Sequence, residues 1–210
     1  MHDRALQRPT FAARHDFDRL PKSLEIEVRP ARRCELSALA EMANRLVPGV
    51  QIAEHDLENY FAFDPDSIVT FKRNNKLLGA VAFLYLNCRG HDALILDEIN
   101  LTQPDVGLLA DRGDDVSAIY VWAIAGQGRA MAGLGNVSTH LSSPRLAPAD
   151  LFAQPSSADG RNLMIALGFE PIPSYQQELW CYERPWNRAV AKTSDFNKNN
   201  QTRSFADARH

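Results

Sequence analysis

The chain has 210 residues, of which 45% are hydrophobic and 23% are charged, and its formal net charge is −3. This composition is typical of a globular α/β domain of ordinary size. So small a charge gives no indication of a nucleic-acid partner. No apolar run approaches the length of about 18 residues that a transmembrane helix needs, so no membrane partner is predicted either.

Three cysteines, Cys34, Cys88 and Cys181, lie far apart and form no CxxC pair. This spacing favours reduced thiols in a cytoplasmic protein over a disulfide framework or a metal site. The N-terminal residues include basic side chains but no continuous apolar core, so they do not match a secretory signal. We therefore expect a cytoplasmic protein that holds no metal.

Polar segments flank the apolar centre of the chain. Residues 1–23 are polar and mixed without periodicity, and residues 187–210 are Asn-rich and net basic. Neither segment carries enough apolar surface to offset the entropy lost on ordering. The sequence therefore predicts one folded domain over residues 24–186, with a disordered tail on each side.

The first half of this domain predicts a strand, two helices and a hairpin. "LEIEVRP" alternates apolar and polar residues up to Pro30, as a short strand does. Apolar residues spaced three or four apart then predict an amphipathic helix that ends at Pro48-Gly49. "EHDLENYFAFD" indicates a weaker second helix. The β-rich runs on either side of Asn74-Asn75-Lys76 indicate a hairpin.

The second half begins with an acidic stretch over residues 88–116. It is longer than most connections, so it either carries structure of its own or serves a ligand. "VSAIYVWAIA" is apolar on both faces, which is typical of a central strand. A helix over residues 131–141, a strand in "ADLFA", a helix from Asp159 to Gly168 and a strand in "QQELWCYERP" follow. The order β-α-α-β-β-β-α-β-α-β predicts a mixed α/β sheet.

A glycine-rich turn, "AGQGRAMAGLG", joins the central strand to the next helix. Strand, glycine turn and helix together bind phosphates in many proteins, because the first amides of a helix have no intrahelical partner. One alternative is that the glycines only allow close packing. A dinucleotide fingerprint is disfavoured because no acidic residue ends a strand about 20 residues later. A Walker A site is excluded because no GK[ST] follows.

The element order, the mid-chain position of this turn and the later "LMIALGFEPIP" resemble the GNAT superfamily of acyl-CoA N-acyltransferases. In that family the turn has the pattern Q/R-x-x-G-x-G/A, which aligns here with Ala130-x-x-Gly133-x-Gly135. Ala130 replaces the family's Gln or Arg, and Arg129 lies one position early. The resemblance covers about residues 25–184. It implies an α/β (α+β) fold, with a single mixed, mostly antiparallel sheet flanked by helices.

The resemblance also implies an acetyl-CoA or other acyl-CoA co-substrate and no metal. Backbone amides of the central strand and of the glycine turn are then expected to bind this co-substrate, and Arg129 adds a mobile positive charge. The implied residues are Trp122, Ala123, Ile124, Ala125, Gly128, Arg129, Ala130, Met131, Ala132, Gly133, Leu134 and Gly135.

Acyl transfer needs a neutral amine, a polarised thioester carbonyl and a proton for the leaving thiolate. The family's tyrosine acid is absent from its usual place, where this chain has the "MI" of "LMIALGF". Tyr182 and Tyr175 are candidate substitutes, with packed aromatic side chains as the alternative. Asp97 and Glu98 are candidate general bases. A solvated acidic loop, or one that attracts a cationic amine together with Asp111, is the alternative.

The sequence therefore predicts an N-acyltransferase that moves an acetyl or other acyl group from acyl-CoA to an amine by direct attack in a ternary complex. The expected partners are acyl-CoA and an amine of unknown identity, and a homodimer is left open. The alternative function is a non-catalytic GNAT-like module that binds a partner protein or a metabolite. The retained glycines favour the enzyme, and the missing tyrosine favours the module.

Overall fold

The structure is a computed structural model that describes residues 16–47, 51–101, 103–126 and 128–184. These ranges hold seven strands and five α-helices. The strands are β1 (Glu27–Pro30), β2 (Ile68–Arg73), β3 (Lys76–Leu86), β4 (Ala118–Gly126), β5 (Asp150–Ala153), β6 (Glu170–Pro171) and β7 (Trp180–Tyr182). The helices are α1 (Leu36–Leu46), α2 (Glu54–Phe63), α3 (Cys88–Ile95), α4 (Leu134–His140) and α5 (Ala158–Ala166). None of these helices has the length and apolarity needed to cross a membrane.

All seven strands form one sheet in the order β1-β2-β3-β4-β5-β7-β6. The pair β4 and β5 is parallel, and every other neighbouring pair is antiparallel. The predicted fold class, a mixed and mostly antiparallel sheet flanked by helices, is therefore confirmed. Two elements were missed by the sequence analysis. They are α3 in the acidic stretch and the short edge strand β6.

Local sequence explains where the elements turn. Asn74 and Asn75 both have positive φ, at 50° and 61°, as a tight hairpin turn between β2 and β3 requires. Asn87 and Ser157 cap α3 and α5, since their side chains accept hydrogen bonds from backbone amides in the first turn. Gly168 has φ 87° after α5 and so ends that helix as predicted.

Helices cover both faces of the sheet. On one face, α4 and α5 pack through Val137 and Met164 on a core that includes Val81 and Ile119. On the other face, α2 and α3 cover a second core, and α1 covers a third. Side chains alternate between these faces along β3 and β4, as a sheet that is buried on both sides requires. This explains the apolar runs in the two strands.

Part of the segment that the sequence analysis assigned to the N-terminal tail is packed on the domain. Phe17 lies in a short 3₁₀ turn and is only 4% exposed, with its ring 5.8 Å from that of Tyr182. The carboxylate of Asp18 pairs with the guanidinium of Arg184. These contacts offset the cost of ordering the segment. Residues 1–15 and 185–210, which make up the rest of the predicted tails and the last two residues of the predicted domain, lie outside the described residues.

The long β3–β4 connection carries structure of its own. Helix α3 opens it, and Gly90 of α3 lies so close to the carbonyl of Leu108 that a side chain would not fit. The Asn87 side chain donates hydrogen bonds to the carbonyl oxygens of Gly107 and Leu109, at 3.1 and 2.9 Å. The connection is therefore folded back onto the end of β3.

Candidate functional site

Strands β4 and β5 run side by side for four residues and then part. β5 pairs with β4 from Ala118 to Val121, where Val121 lies opposite Ala153. β4 continues to Gly126 while paired with β3. Beyond Val121, none of the strands in the described ranges pairs with the other edge of β4. Backbone N–H and C=O groups along that edge therefore face a cleft.

The pairing of β4 with β3 changes register at the point where this cleft begins. Val121 lies opposite Phe83 and Ala123 lies opposite Ala82, so Trp122 is an extra residue on β4. A β-bulge of this kind bends its strand and increases the local twist. The bulge thus accounts for the direction in which β4 leaves β5, and it places Trp122 at the narrow end of the cleft.

The cleft encloses a cavity of about 540 Å³. A volume of roughly 300 to 1,000 Å³ is usual for small-molecule sites. Its walls are the end of α1 at Leu46 and Val47, the free edge of β4, the end of β5 at Ala153 with residues 154–157 after it, and the start of α5. Most of the lining is apolar, so the cavity suits a ligand with a largely uncharged body.

Several of the sequence-predicted cofactor residues meet in this cleft. Trp122, Ala123, Ile124 and Met131 line it, and Gly126 joins them. The other predicted residues lie elsewhere or face the protein. Ala125, Ala130 and Leu134 are buried, Arg129 and Ala132 are exposed, and Gly128 opens the 3₁₀ turn that runs to Gly133.

Gly133 and Gly135 serve close packing. A Cβ atom on Gly133 would lie 2.9 Å from the side chains of both Ile26 and Phe71. A Cβ atom on Gly135 would collide with the carbonyl oxygen of Pro21. The packing alternative therefore explains why both positions are glycine, while the binding of an anion by their amides stays a prediction.

The three candidate catalytic residues do not come together. Asp97 and Glu98 are exposed directly after α3, and neither lines the cavity. Tyr182 is 1% exposed, and its hydroxyl donates a hydrogen bond to the carboxylate of Asp16. Burial, together with this bond to Asp16, raises the pKa of Tyr182. A buried phenol of raised pKa outside the cavity gives no support to the role of proton donor, and the catalytic assignments stay predictions.

Two histidines and Tyr175 also lie outside the cavity lining. The ring of His91 packs 5.3 Å from that of Phe152. His140 lies 3.3 Å from the Tyr85 hydroxyl, and burial lowers the pKa of this histidine. Tyr175 is 77% exposed. Among the described residues, no group of three or more His, Cys, Asp or Glu side chains is arranged to hold a metal ion.

The start of α5 contributes residues to the cleft that the sequence analysis did not select. Ser156, Ser157, Asp159 and Gly160 line it, and the Ser157 hydroxyl accepts a hydrogen bond of 3.0 Å from the Gly160 amide. Asp159 is the one ionisable side chain in the described lining. The "SSADG" sequence is a helix-start signal, but it gave no sign that this helix faces β4 across a cleft.

Comparisons with known proteins give matches to solved structures only. No family model matches the chain, and no curated protein matches it. One similar structure is Ard1 from Thermoplasma volcanium, with 9% identity, a TM-score of 0.49, and coverage of 75% of this chain and 95% of that one. Another is the GphF GNAT-like decarboxylase in complex with isobutyryl-CoA, with 13% identity, a TM-score of 0.47, and coverage of 65% and 70%.

A third similar structure is a GNAT family acetyltransferase from Brucella melitensis in complex with acetyl-CoA. It shares 12% identity at a TM-score of 0.44, over 75% of this chain and 87% of that one. Two of these three proteins carry GNAT in their names. Values this low describe a distant likeness.

Proposed function

We propose that the protein is a GNAT-type N-acyltransferase that binds an acyl-CoA thioester in the cleft between β4 and β5. The observation that carries this proposal is the cleft itself, where a bulge parts β4 from β5 and leaves one β-edge open along an apolar cavity of about 540 Å³. A strand edge inside an apolar cavity suits a ligand that combines amide groups with a flexible chain, and the pantetheine arm of CoA has both features.

The pantetheine arm would bind as an added strand. Its two amides can exchange hydrogen bonds with backbone groups of Trp122–Gly126, much as an extended peptide pairs with a sheet edge. The phosphates would remain at the wide end of the cleft, near Gly126 and Met131. Arg129, whose side chain is 77% exposed and 3.9 Å from Glu25, is free to turn towards them. No basic residue lines the described cavity itself, so the charged end of CoA belongs outside it.

The chemistry is direct acyl transfer. A neutral amine attacks the thioester carbonyl carbon, the new C–N bond forms, and the C–S bond breaks. The thiolate leaves with the electron pair and takes the proton that the amine loses, either directly or through water. Backbone N–H groups on the free edge of β4 would stabilise the negative oxygen of the tetrahedral intermediate. This mechanism needs no side-chain acid.

Ligand-dependent stabilisation tests the proposed site. Because a ligand that binds only the native state raises its stability with concentration, acetyl-CoA and free CoA should both raise the melting temperature in titrations. Ala123→Leu, which adds bulk inside the cavity, should weaken acetyl-CoA binding at least tenfold. Ala38→Leu, at an exposed site on α1, is the matched control and should bind like the wild type. A melting temperature that stays constant up to millimolar ligand would contradict the proposal.

One observation favours a second candidate function, a module that binds an acyl-CoA without transferring the acyl group. The described lining of the cleft offers almost no side-chain acid or base for catalysis. Asp159 is its one ionisable side chain, and it is exposed. A thiol-release assay with acetyl-CoA and a panel of primary amines distinguishes the two functions. Release that depends on the amine supports the transferase. Binding without release from any amine supports the module.

A further inference from the structure

Trp122 is the one aromatic side chain in the described lining of the cleft. Its indole Nε1 donates a hydrogen bond of 2.6 Å to the carbonyl oxygen of Leu101, which lies in the β3–β4 connection. Its ring also meets the ring of Tyr60 edge-on, with 5.0 Å between centroids and an interplanar angle of 72°. The indole therefore has one favoured orientation, because a rotation would break both contacts.

The buried ring of Tyr60 forms the wall behind the indole of Trp122. Tyr60, on α2, is 8% exposed, and its hydroxyl is 3.4 Å from the carbonyl oxygen of Pro104. Val121 and Ile124 pack on the core under α4 and α5, whereas Trp122 packs on the cores of the opposite face. Trp122 therefore faces α1 and α2, as Ala118 and Tyr120 face the same side of the sheet, and it separates the cleft from the residues behind it.

The cleft is a wedge, and Trp122 lies at its narrow end. β4 and β5 are joined up to Val121 and Ala153 and part beyond them. From Trp122 to Gly126 the free edge of β4 runs for roughly 13 Å, from the rise of a strand. A long ligand must therefore enter from the wide end at Gly126, and the tip of its chain meets the indole.

We propose that Trp122 limits the length of the acyl group, so that the protein accepts short acyl chains such as acetyl or propionyl. This inference rests on the proposed function, since it takes the thioester to lie at the bulge. An acyl chain of six or more carbons would have to displace an indole that is held by Leu101 and Tyr60. A methyl or ethyl group fits without displacing it.

The test measures dissociation constants of acetyl-, butyryl-, hexanoyl- and octanoyl-CoA by calorimetry, for the wild type, Trp122→Ala and Trp122→Phe. We expect wild-type affinity to fall at least tenfold from acetyl- to hexanoyl-CoA. In Trp122→Ala the ratio of the acetyl-CoA affinity to the hexanoyl-CoA affinity should fall to within threefold of unity. The same ratio for Trp122→Phe should lie between those of the wild type and Trp122→Ala. Leu24→Ala, which removes a fully exposed apolar side chain outside the cleft, should keep the wild-type ratio.

Three outcomes would overturn the inference, and only the last of them also contradicts the proposed function. If the wild type binds octanoyl-CoA as tightly as acetyl-CoA, the proposed site stands and Trp122 does not limit chain length. The same holds if Trp122→Ala folds and keeps the wild-type ratio. If neither free CoA nor any thioester binds the wild type, both the proposed function and this inference are contradicted. The wild-type series decides the question even if Trp122→Ala does not fold.

Discussion

Glu35 shows how single charges hold the first strand in place. The guanidinium of Arg29 on β1 donates hydrogen bonds of 3.0 and 2.8 Å to its two carboxylate oxygens, and Lys72 on β2 pairs with one of them. The Arg32 amide adds a third donor at 2.8 Å. Burial by itself would raise the pKa of Glu35, but these donors outweigh it and lower the pKa to about 2.

This pKa predicts an acid-dependent loss of stability. A carboxyl group with a lowered pKa in the folded state stabilises that state above its unfolded pKa, and the contribution is lost as the pH falls through the folded value. The window therefore runs from about pH 4.5 down to about pH 2. Glu35→Gln should lower the free energy of unfolding by about 3 kcal/mol at pH 7, with a difference from the wild type that shrinks across this window.

Urea unfolding of both proteins at a series of pH values measures this difference. Glu41→Gln, at an exposed position on α1, is the control and should change stability by less than about 0.5 kcal/mol. A Glu35→Gln difference that stays constant between pH 5 and pH 2 would show that the carboxylate charge is not what stabilises the fold here.

At the scale of elements, α4 is held against the chain that leads into β1. The Asn136 side chain donates hydrogen bonds to the carbonyl oxygens of Ser23 and Ile26, at 2.9 and 3.0 Å, and accepts one of 2.8 Å from the Ser23 amide. Gly135 lies directly against the carbonyl group of Pro21. The backbone at Pro21 therefore packs directly on the backbone of α4, which leaves no space for a side chain at residue 135.

Gly135→Ala should consequently destabilise the protein, although alanine is the better helix former. Overpacking at a buried site costs about 1–3 kcal/mol, and here the obstacle is a backbone carbonyl that cannot rotate away. Gly113→Ala, where an added Cβ would meet nothing within 4 Å, is the matched control. Thermal unfolding compares the two variants. Equal melting temperatures would mean that α4 and the Pro21 segment separate at little cost.

The sequence predicted most elements because their signals are local. The alternation before Pro30, the Asn74-Asn75 turn and the apolar run of β4 each reflect short-range rules that tertiary contacts did not override. The α3 helix was missed because its first residues, "CRGHD", include a glycine and few apolar positions. Its stability comes from an Asn87 cap and from contact with residues near Leu108. Neither feature produces a hydrophobic periodicity in the sequence.

The site was harder to predict than the fold, for a physical reason. A glycine that lets a ligand approach and a glycine that lets a helix approach look identical in sequence. Gly133 and Gly135 meet Phe71, Ile26 and Pro21, residues that lie more than 60 positions away along the chain. The bulge at Trp122 depends likewise on its register with β3. Of the residues that line the cleft, the sequence analysis had named only Met131 and the β4 residues Trp122, Ala123 and Ile124 as cofactor residues.

At the scale of the whole molecule, the N-terminal segment joins the two ends of the described chain. Asp16 and Asp18 contact Tyr182 and Arg184 across 164 to 166 residues. Arg184 is 2% exposed, and it also donates to the Leu141 carbonyl oxygen at 2.6 Å. A buried guanidinium of this kind depends on its carboxylate partner, because an unpaired charge in the interior is costly.

Removal of residues 1–23 should therefore lower the free energy of unfolding by at least about 3 kcal/mol, since it takes away Phe17 and leaves the Arg184 charge without Asp18. A second form that lacks only residues 1–15 provides the comparison, and the difference between the two forms isolates residues 16–23. Chemical denaturation measures both. Equal midpoints would show that these contacts add nothing to stability and that the boundary predicted at residue 24 is adequate.

The same pairing has a consequence for biosynthesis. When Asp18 leaves the ribosome, its partner Arg184 has not yet been made, and β7, which pairs with β5, follows only near the end of the described chain. Until then β5 presents an open edge and the pocket for Phe17 lacks Tyr182. An open edge beside exposed apolar residues invites association between chains. The growing polypeptide therefore needs protection from its neighbours until nearly all of the domain has been translated.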